Sequence, residues 1–407
     1  MENLEDKNRV EDDLILMDSN QEKRSKRKIY LDTNLQIIFG ITLTYIMGVA
    51  IITPAFPKIV KELNISAKDV GLLIAVFSFP GILVTPLLGV IADRWGRKRI
   101  IIPSLMLFGI AGGLCFFVRD FKLLLILRLI QGIGAAPLGS LTVTIIGDLY
   151  SRKELVAAMG YNSSVRSIGS ASYPAIGGAL AMMGWYYPFI LPVIAVPIGF
   201  LVLFNLKTPE PENEVHIREH LNIVWKKLRN RQVVGLLVIG IIIFVMLFGS
   251  YMTCFPLLLG NSFGLSSLII GLIMAGVSLI AAFTSSQLGK IIKLFSKKNI
   301  LKMSFILYAL ALSIIPLISQ PWLFLIPVII FGIAHGMNIP VIQALLAEAA
   351  PLKYRATFMS VSGMTFRVGQ TLGPLLMGVV ISVWGIGGAF YAGAGLSIVM
   401  FLIIFRL

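Results

Sequence analysis

Four side chains that carry or exchange charge fall inside long apolar runs of this 407-residue sequence: Arg128, Arg166, Arg367 and His335. An arginine in such a place is a fixed cation, suited to holding an anion or a ring of carbonyl oxygens. Histidine, with an ordinary pKa of about 6.5, can take up and release a proton near neutrality. His335 lies near the middle of its run, where it is either a proton carrier or a hydrogen-bonded packing residue. Arg128 lies about six residues from one edge, roughly 9 Å at 1.5 Å per residue. Its guanidinium therefore either snorkels to the surface or serves inside, where a fixed charge costs roughly 2.5 to 3.5 kcal/mol at mid-depth. Arg166 and Arg367 sit about ten residues inside, too deep for easy snorkelling, and each is expected to face a wet cavity or a carbonyl cluster. The acids are placed differently, because all 20 Asp and Glu fall in tails, loops or the ends of apolar runs. Asp148 and Glu348, with His335, are the candidates for proton coupling or a charge network; the two acids read more simply as partners of Arg152 and Lys153 and of Lys353 and Arg355. No zinc-protease, phosphate-loop or nucleophile-elbow pattern occurs. His216 and His220 are spaced for one helical face but lack further ligands, so neither a metal site, a cofactor nor a catalytic residue is expected.

The elements that position these residues follow from composition. The chain is 57% hydrophobic and 14% charged, against roughly 25% charged for a soluble domain, which excludes a water-soluble fold. At about 20 apolar residues per helix, hydrophobic runs mark spans near 35–56, 70–91, 100–118, 123–147, 155–181 and 186–206, then near 233–258, 267–289, 300–318, 321–346, 357–383 and 387–405. The net charge of +15 would suit a nucleic-acid binder, but its distribution does not. Lys58, Lys61, Lys68, Arg119 and Lys122 lie in alternate loops, and apart from the three membrane arginines the rest of the 35 Lys and Arg fall on the opposite side. That bias places a multi-pass protein in the cell (cytoplasmic) membrane with both termini cytoplasmic. Residues 1–34 form a polar tail with no cleavable signal, 35–206 a first lobe and 233–407 a second. In the linker, 207–232, Ile217, Leu221, Val224, Trp225 and Leu228 recur at helical spacing among basic residues, either an amphipathic helix on the anionic leaflet or a solvated tether. Cys115 and Cys254 read as free buried thiols.

Sliding the chain on itself by 200 residues aligns Gly40 with Gly240, Gly71-Leu72 with Gly271-Leu272, and Leu88-Gly89 with Leu288-Gly289. Gly132-Ile133 meets Gly332-Ile333, Pro174 meets Pro374, and Gly178 meets Gly378. Six spans per repeat is an even number, so the repeats are parallel, an arrangement that puts a substrate site at the bilayer midplane between two lobes.

Three segments carry a family resemblance. The loop Gly89-Val90-Ile91-Ala92-Asp93-Arg94-Trp95-Gly96-Arg97-Lys98-Arg99 resembles motif A of the major facilitator superfamily at every fixed position. Arg128-Leu129-Ile130-Gln131-Gly132 resembles motif B. In the fifth span Gly160, Gly169, Pro174, Gly177 and Gly178 stand at the spacing of motif C, the signature of the family's drug and proton antiporters, with Tyr173 in place of one glycine. The resemblance implies an all-α integral membrane fold of twelve transmembrane helices in two parallel six-helix repeats. It implies that Gly89, Asp93, Arg94, Gly96, Arg97 and Lys98 latch the lobes on the cytoplasmic side, and that motif C packs helices closely. The second-half copy of motif A has Lys293 where Asp93 stands, which makes the latch asymmetric.

These readings converge on a secondary transporter, not an enzyme, that exports small amphipathic compounds in exchange for protons by alternating access. The alternatives are a symporter importing a metabolite and, from another class, a membrane sensor. Relatives often carry an acid in the first or fourth span, and the first span here has none. Cavity arginines without a mid-membrane acid favour an anionic or neutral amphipathic substrate. The expected partners are that substrate, protons and the bilayer, with no nucleic acid and a monomer sufficing.

Overall fold

The structure, a computed structural model, describes residues 29–150, 152–208, 230–349 and 355–406, and stops at the backbone for residues 90, 93, 152, 153, 355–358, 360 and 406. The linker helix expected within 215–231 lies almost wholly outside the described residues. Among those described, the regular elements are all helical. In a bilayer every backbone polar group must be satisfied within the chain, and helices do so locally. We number the spans α1 (Thr33–Glu62), α2 (Leu72–Ser78 and Pro80–Trp95), α3 (Arg97–Leu114), α4 (Phe121–Leu149), α5 (Arg152–Met183) and α6 (Tyr187–Asn205). The second set is α7 (Arg231–Asn261), α8 (Ser267–Leu294), α9 (Lys297–Leu317), α10 (Pro321–Ala349), α11 (355–384) and α12 (386–406). The last two run together except at Gly385, whose φ of 69° breaks the helix in a region open to glycine. Nine helices among the described residues are long and apolar enough to cross a membrane, one of them holding both final spans. The remaining two are α3, which opens on Arg97-Lys98-Arg99, and α5, rich in Gly, Ser and Asn.

Polar residues at the span ends act as caps. Asp32 accepts from the Asn34 amide at 2.8 Å, Asp120 from Leu123 at 2.8 Å and Asn230 from Gln232 at 2.9 Å. Each satisfies a first-turn donor that the helix itself leaves free. Asp32 also accepts from the Tyr150 hydroxyl at 2.9 Å, tying the end of α4 to the start of α1. Burial and then that carboxylate push the Tyr150 phenol above its ordinary range.

Packing sorts the helices into two buried clusters. One runs from Leu35 to Leu206 and adds Leu257; the other runs from Val233 to Ile404. Phe248, Met252 and Ile386 pack against both. Phe248 and Met252 belong to a π-helical stretch of α7, Met246–Cys254, where the Thr253 hydroxyl donates to the Phe248 carbonyl five residues back at 2.7 Å. π turns concentrate at functional sites, and this one lies on the seam between the halves.

Candidate functional site: a cleft between two six-helix halves

The halves meet through two crossings related by the repeat. On α8 a Cβ at Gly271 would overlap the Pro174 carbonyl of α5, and at Gly178 it would overlap the Ser267 carbonyl. At the opposite pair of helices, a Cβ at Gly71, just before α2, would stand 2.9 Å from Pro374 Cβ of α11, and one at Gly378 would stand 2.9 Å from the Lys68 carbonyl. Pro174–Gly271 and Pro374–Gly71 are the same contact displaced by 200 residues. Gly260 against the Pro57 ring and the Thr53 hydroxyl at 3.9 Å from Met274 Sδ close the same end, the one away from the chain termini. Toward the termini no such crossing is seen: beside Gly89, Gly160, Gly289 and Gly363 a Cβ would meet open space among the described residues. Of the motif C glycines, Gly177 makes a close contact inside the first half, where a Cβ would overlap the Ile51 carbonyl, whereas Gly160 makes none among the described residues. Despite Pro174, α5 runs unbroken from Arg152 to Met183.

Arg128 is buried at 1% exposure, which excludes the snorkelling alternative. Its Nε donates to the Leu73 carbonyl at 3.1 Å, Nη1 to Gln131 Oε1 at 2.7 Å and Nη2 to the Gly48 carbonyl at 2.7 Å, while the guanidinium lies 4.2 Å from the centre of the Phe77 ring. Gly132 lets this helix approach α2 closely, because a Cβ there would overlap the Phe77 carbonyl. Motif B thus joins α1, α2 and α4 within one half.

The other two arginines lack such a cage. Arg166 is exposed and has no hydrogen-bond or ion-pair partner among the described residues; it acts through space on His335 of the second half. Arg367 reaches the opposite way. A Cβ at Gly81 of α2 would lie 3.1 Å from Arg367 Cδ, Tyr45 of α1 is within electrostatic reach, and Nη1 donates to Gln370 Oε1 at 3.2 Å. His335 is half-buried; its Nδ1 lies 2.9 Å from the Tyr308 hydroxyl and its ring stacks on Phe331. An apolar pocket lined by Trp384, Gly387, Gly388, Tyr391 and Ala392 lies at the α11–α12 turn, well removed from these charges.

The profile of the Major Facilitator Superfamily matches residues 38–266 and 237–407. This chain belongs to the major facilitator superfamily. It is 28% identical to the bacillibactin exporter of Bacillus subtilis (strain 168), an alignment spanning 86% of this chain and 90% of that protein. It is 25% identical to the class B tetracycline resistance protein of Escherichia coli, over 89% of this chain and 94% of that one. Among solved structures, a bacterial homologue of the human lysosomal transporter Spinster, described as inward-facing and unoccupied, superposes with a TM-score of 0.76 at 17% identity, covering 93% of this chain and 96% of that one. The fold is the twelve-helix major facilitator fold and the chain is a membrane carrier, not an enzyme.

Two basic residues of this family's motif A, Arg97 and Lys98, are engaged within their own half. Arg97 pairs with Asp148 at the end of α4, and Lys98 Nζ donates to the Leu206 carbonyl at 3.2 Å. Gly96 makes the turn between α2 and α3 with a φ of 93°. Arg94 is exposed, and the Asp93 side chain lies outside the described residues, as do those of Arg152, Lys153, Lys353 and Arg355. Among the described residues the two inner-end acids meet cations of a neighbouring helix, Asp148 pairing with Arg97 and Glu348 with Lys297, while the side chains of the four cations expected beside them lie outside those residues. Both ends of each pair correspond at the 200-residue offset, so the signal was present in the repeat. Sequence reasoning also missed the Phe366–Phe244–Phe248 ladder, whose centroids lie 4.5 Å and 5.7 Å apart. It missed Asn338 as well, which is fully buried one turn past His335 with neither its amide nitrogen nor its oxygen bonded among the described residues.

Proposed function

We propose that this chain exports small amphipathic compounds, anionic or neutral, across the cytoplasmic membrane in exchange for protons. Both termini are cytoplasmic, and the lobes 35–206 and 233–407 rock about the central cleft. The observation that carries the reading is the pair of crossings Pro174–Gly271 and Pro374–Gly71. They seal one end of a two-lobed bundle with the motif C residues, while at the end bearing motif A no matching crossing is seen among the described residues. A cleft closed at one end only, by contacts that a small rotation would release, is one half of an alternating-access cycle. Export is supported by the relatives' names, which include an exporter and a drug-resistance protein. One chain carries both lobes and the cleft, so a monomer suffices.

Proton coupling in this reading falls to His335, at mid-membrane beside the cleft, whereas Asp148 and Glu348 brace the cytoplasmic ends of their lobes. Everted vesicles holding a dye-reported proton gradient test it. Adding an exported compound from a panel of amphipathic dyes should partly collapse the gradient. Measurable dye movement with the gradient untouched would leave proton exchange without support.

A further inference from the structure

The three membrane arginines divide by how their donors are used. Guanidinium stays charged at any physiological pH and carries five N–H donors. Arg128 spends its donors on two carbonyls and Gln131 in a buried cage. Arg166 spends none of its donors on the described residues, and Arg367 spends one, on Gln370. The latter two stand at mid-span on opposite halves, Arg367 packed against Gly81 of the first half and Arg166 within electrostatic reach of His335 of the second, and no Asp or Glu lies at that depth to neutralise them. A charge held at mid-membrane is costly unless something answers it. Beside Arg367 the stacked rings of Phe366, Phe244 and Phe248 supply a flat apolar wall, and Phe248 touches the cores of both halves.

Resting on the exporter reading, we propose that the cleft is built for aromatic organic anions: a carboxylate or sulfonate held between Arg166 and Arg367, with its ring system laid against the Phe366–Phe244–Phe248 wall. The ligand supplies the acceptors that the protein withholds from these two arginines. Because they belong to different halves, a bound anion also draws the halves together.

Fluorescein and rhodamine 123 share a xanthene body but carry opposite charge near neutral pH, which makes them suitable probes. Binding of each to the purified full chain in lipid nanodiscs is read by anisotropy, for the unaltered protein and for Arg166→Gln, Arg367→Gln, the double Gln variant and the corresponding Lys variants. Thermal unfolding checks that each is folded. Fluorescein should bind in preference to rhodamine 123, weaken about tenfold or more in each Gln variant, and recover in part with Lys. Rhodamine 123 should bind no worse in the double Gln variant than in the unaltered protein. Preference for rhodamine 123, no fluorescein binding, or fluorescein binding unchanged in the double Gln variant overturns the proposal. The exporter reading stands or falls separately, on dye flux and gradient collapse in everted vesicles.

Discussion

At the scale of single residues, the cleft region separates charges that hold the fold from charges that act. Arg128 holds it. Truncating it to Ala leaves the Gly48 and Leu73 carbonyls buried without their donor, at about 1 to 3 kcal/mol for each unpaired group. Arg128→Ala should therefore lower the unfolding temperature markedly in detergent, and Arg128→Lys should recover only part, since a point ammonium cannot reach three acceptors in a planar fork. Equal melting of all three proteins would remove the cage from the account of stability. His335 sits differently, half-buried with one hydrogen bond to Tyr308. If it carries the proton, His335→Gln should abolish uphill export driven by a proton gradient while downhill dye exchange persists. Vesicle assays of the two modes separate this from a folding defect, which would depress both.

At the scale of helices, the two Gly–Pro crossings set which state the halves prefer. A methyl at Gly271 or Gly178 would meet a carbonyl of the opposite half only while the end away from the termini is closed. Overpacking of that kind costs about 1 to 3 kcal/mol. Gly271→Ala and Gly178→Ala should thus shift the population toward the state open at that end, about 5- to 150-fold, read as longer spin-label distances between α5 and α8 at that end. Gly177→Ala meets Ile51 within one half, so it should lower stability in both states without that shift. The ion pairs Arg97–Asp148 and Lys297–Glu348 are partly exposed, and pairs of that kind contribute about 0 to 1 kcal/mol. Much of this was legible in the sequence. Hydropathy gave the spans because lipid forces apolar helices, and the 200-residue offset gave the two parallel repeats; that its matched glycines and prolines cross between the halves came only from the structure. That Arg97 and Lys297 also reach Asp148 and Glu348 was not read, since a loop cation near in sequence competes on paper with one brought close only by folding. Nor could periodicity tell that Arg128 is caged while Arg166 is open, because both are arginines in apolar runs and only the neighbouring helices' carbonyls distinguish them.

At the scale of the whole molecule, the two crossings lie on either side of a pseudo-twofold axis, so tying one of them should immobilise both halves. Gly378 on α11 and Lys68 before α2 offer the place. A Cβ at Gly378 would stand 3.9 Å from Lys68 Cβ, within the roughly 3.5 to 4.5 Å that a disulfide spans. The two native thiols, Cys115 and Cys254, are free and buried and are first replaced by alanine. In that background Lys68→Cys with Gly378→Cys should crosslink on mild oxidation, because the closed end already holds the pair at bonding distance. Once crosslinked, the halves cannot separate there, and dye export should stop, then return when a reductant opens the bond. Each single-cysteine protein should export under oxidant as well as without it. A fully crosslinked protein that still moves dye at the reduced protein's rate would mean that the cleft opens without parting these helices, and the rocking of two halves about it would have to be replaced by a smaller local movement, for which the π-helical stretch of α7 at the seam is the element already placed.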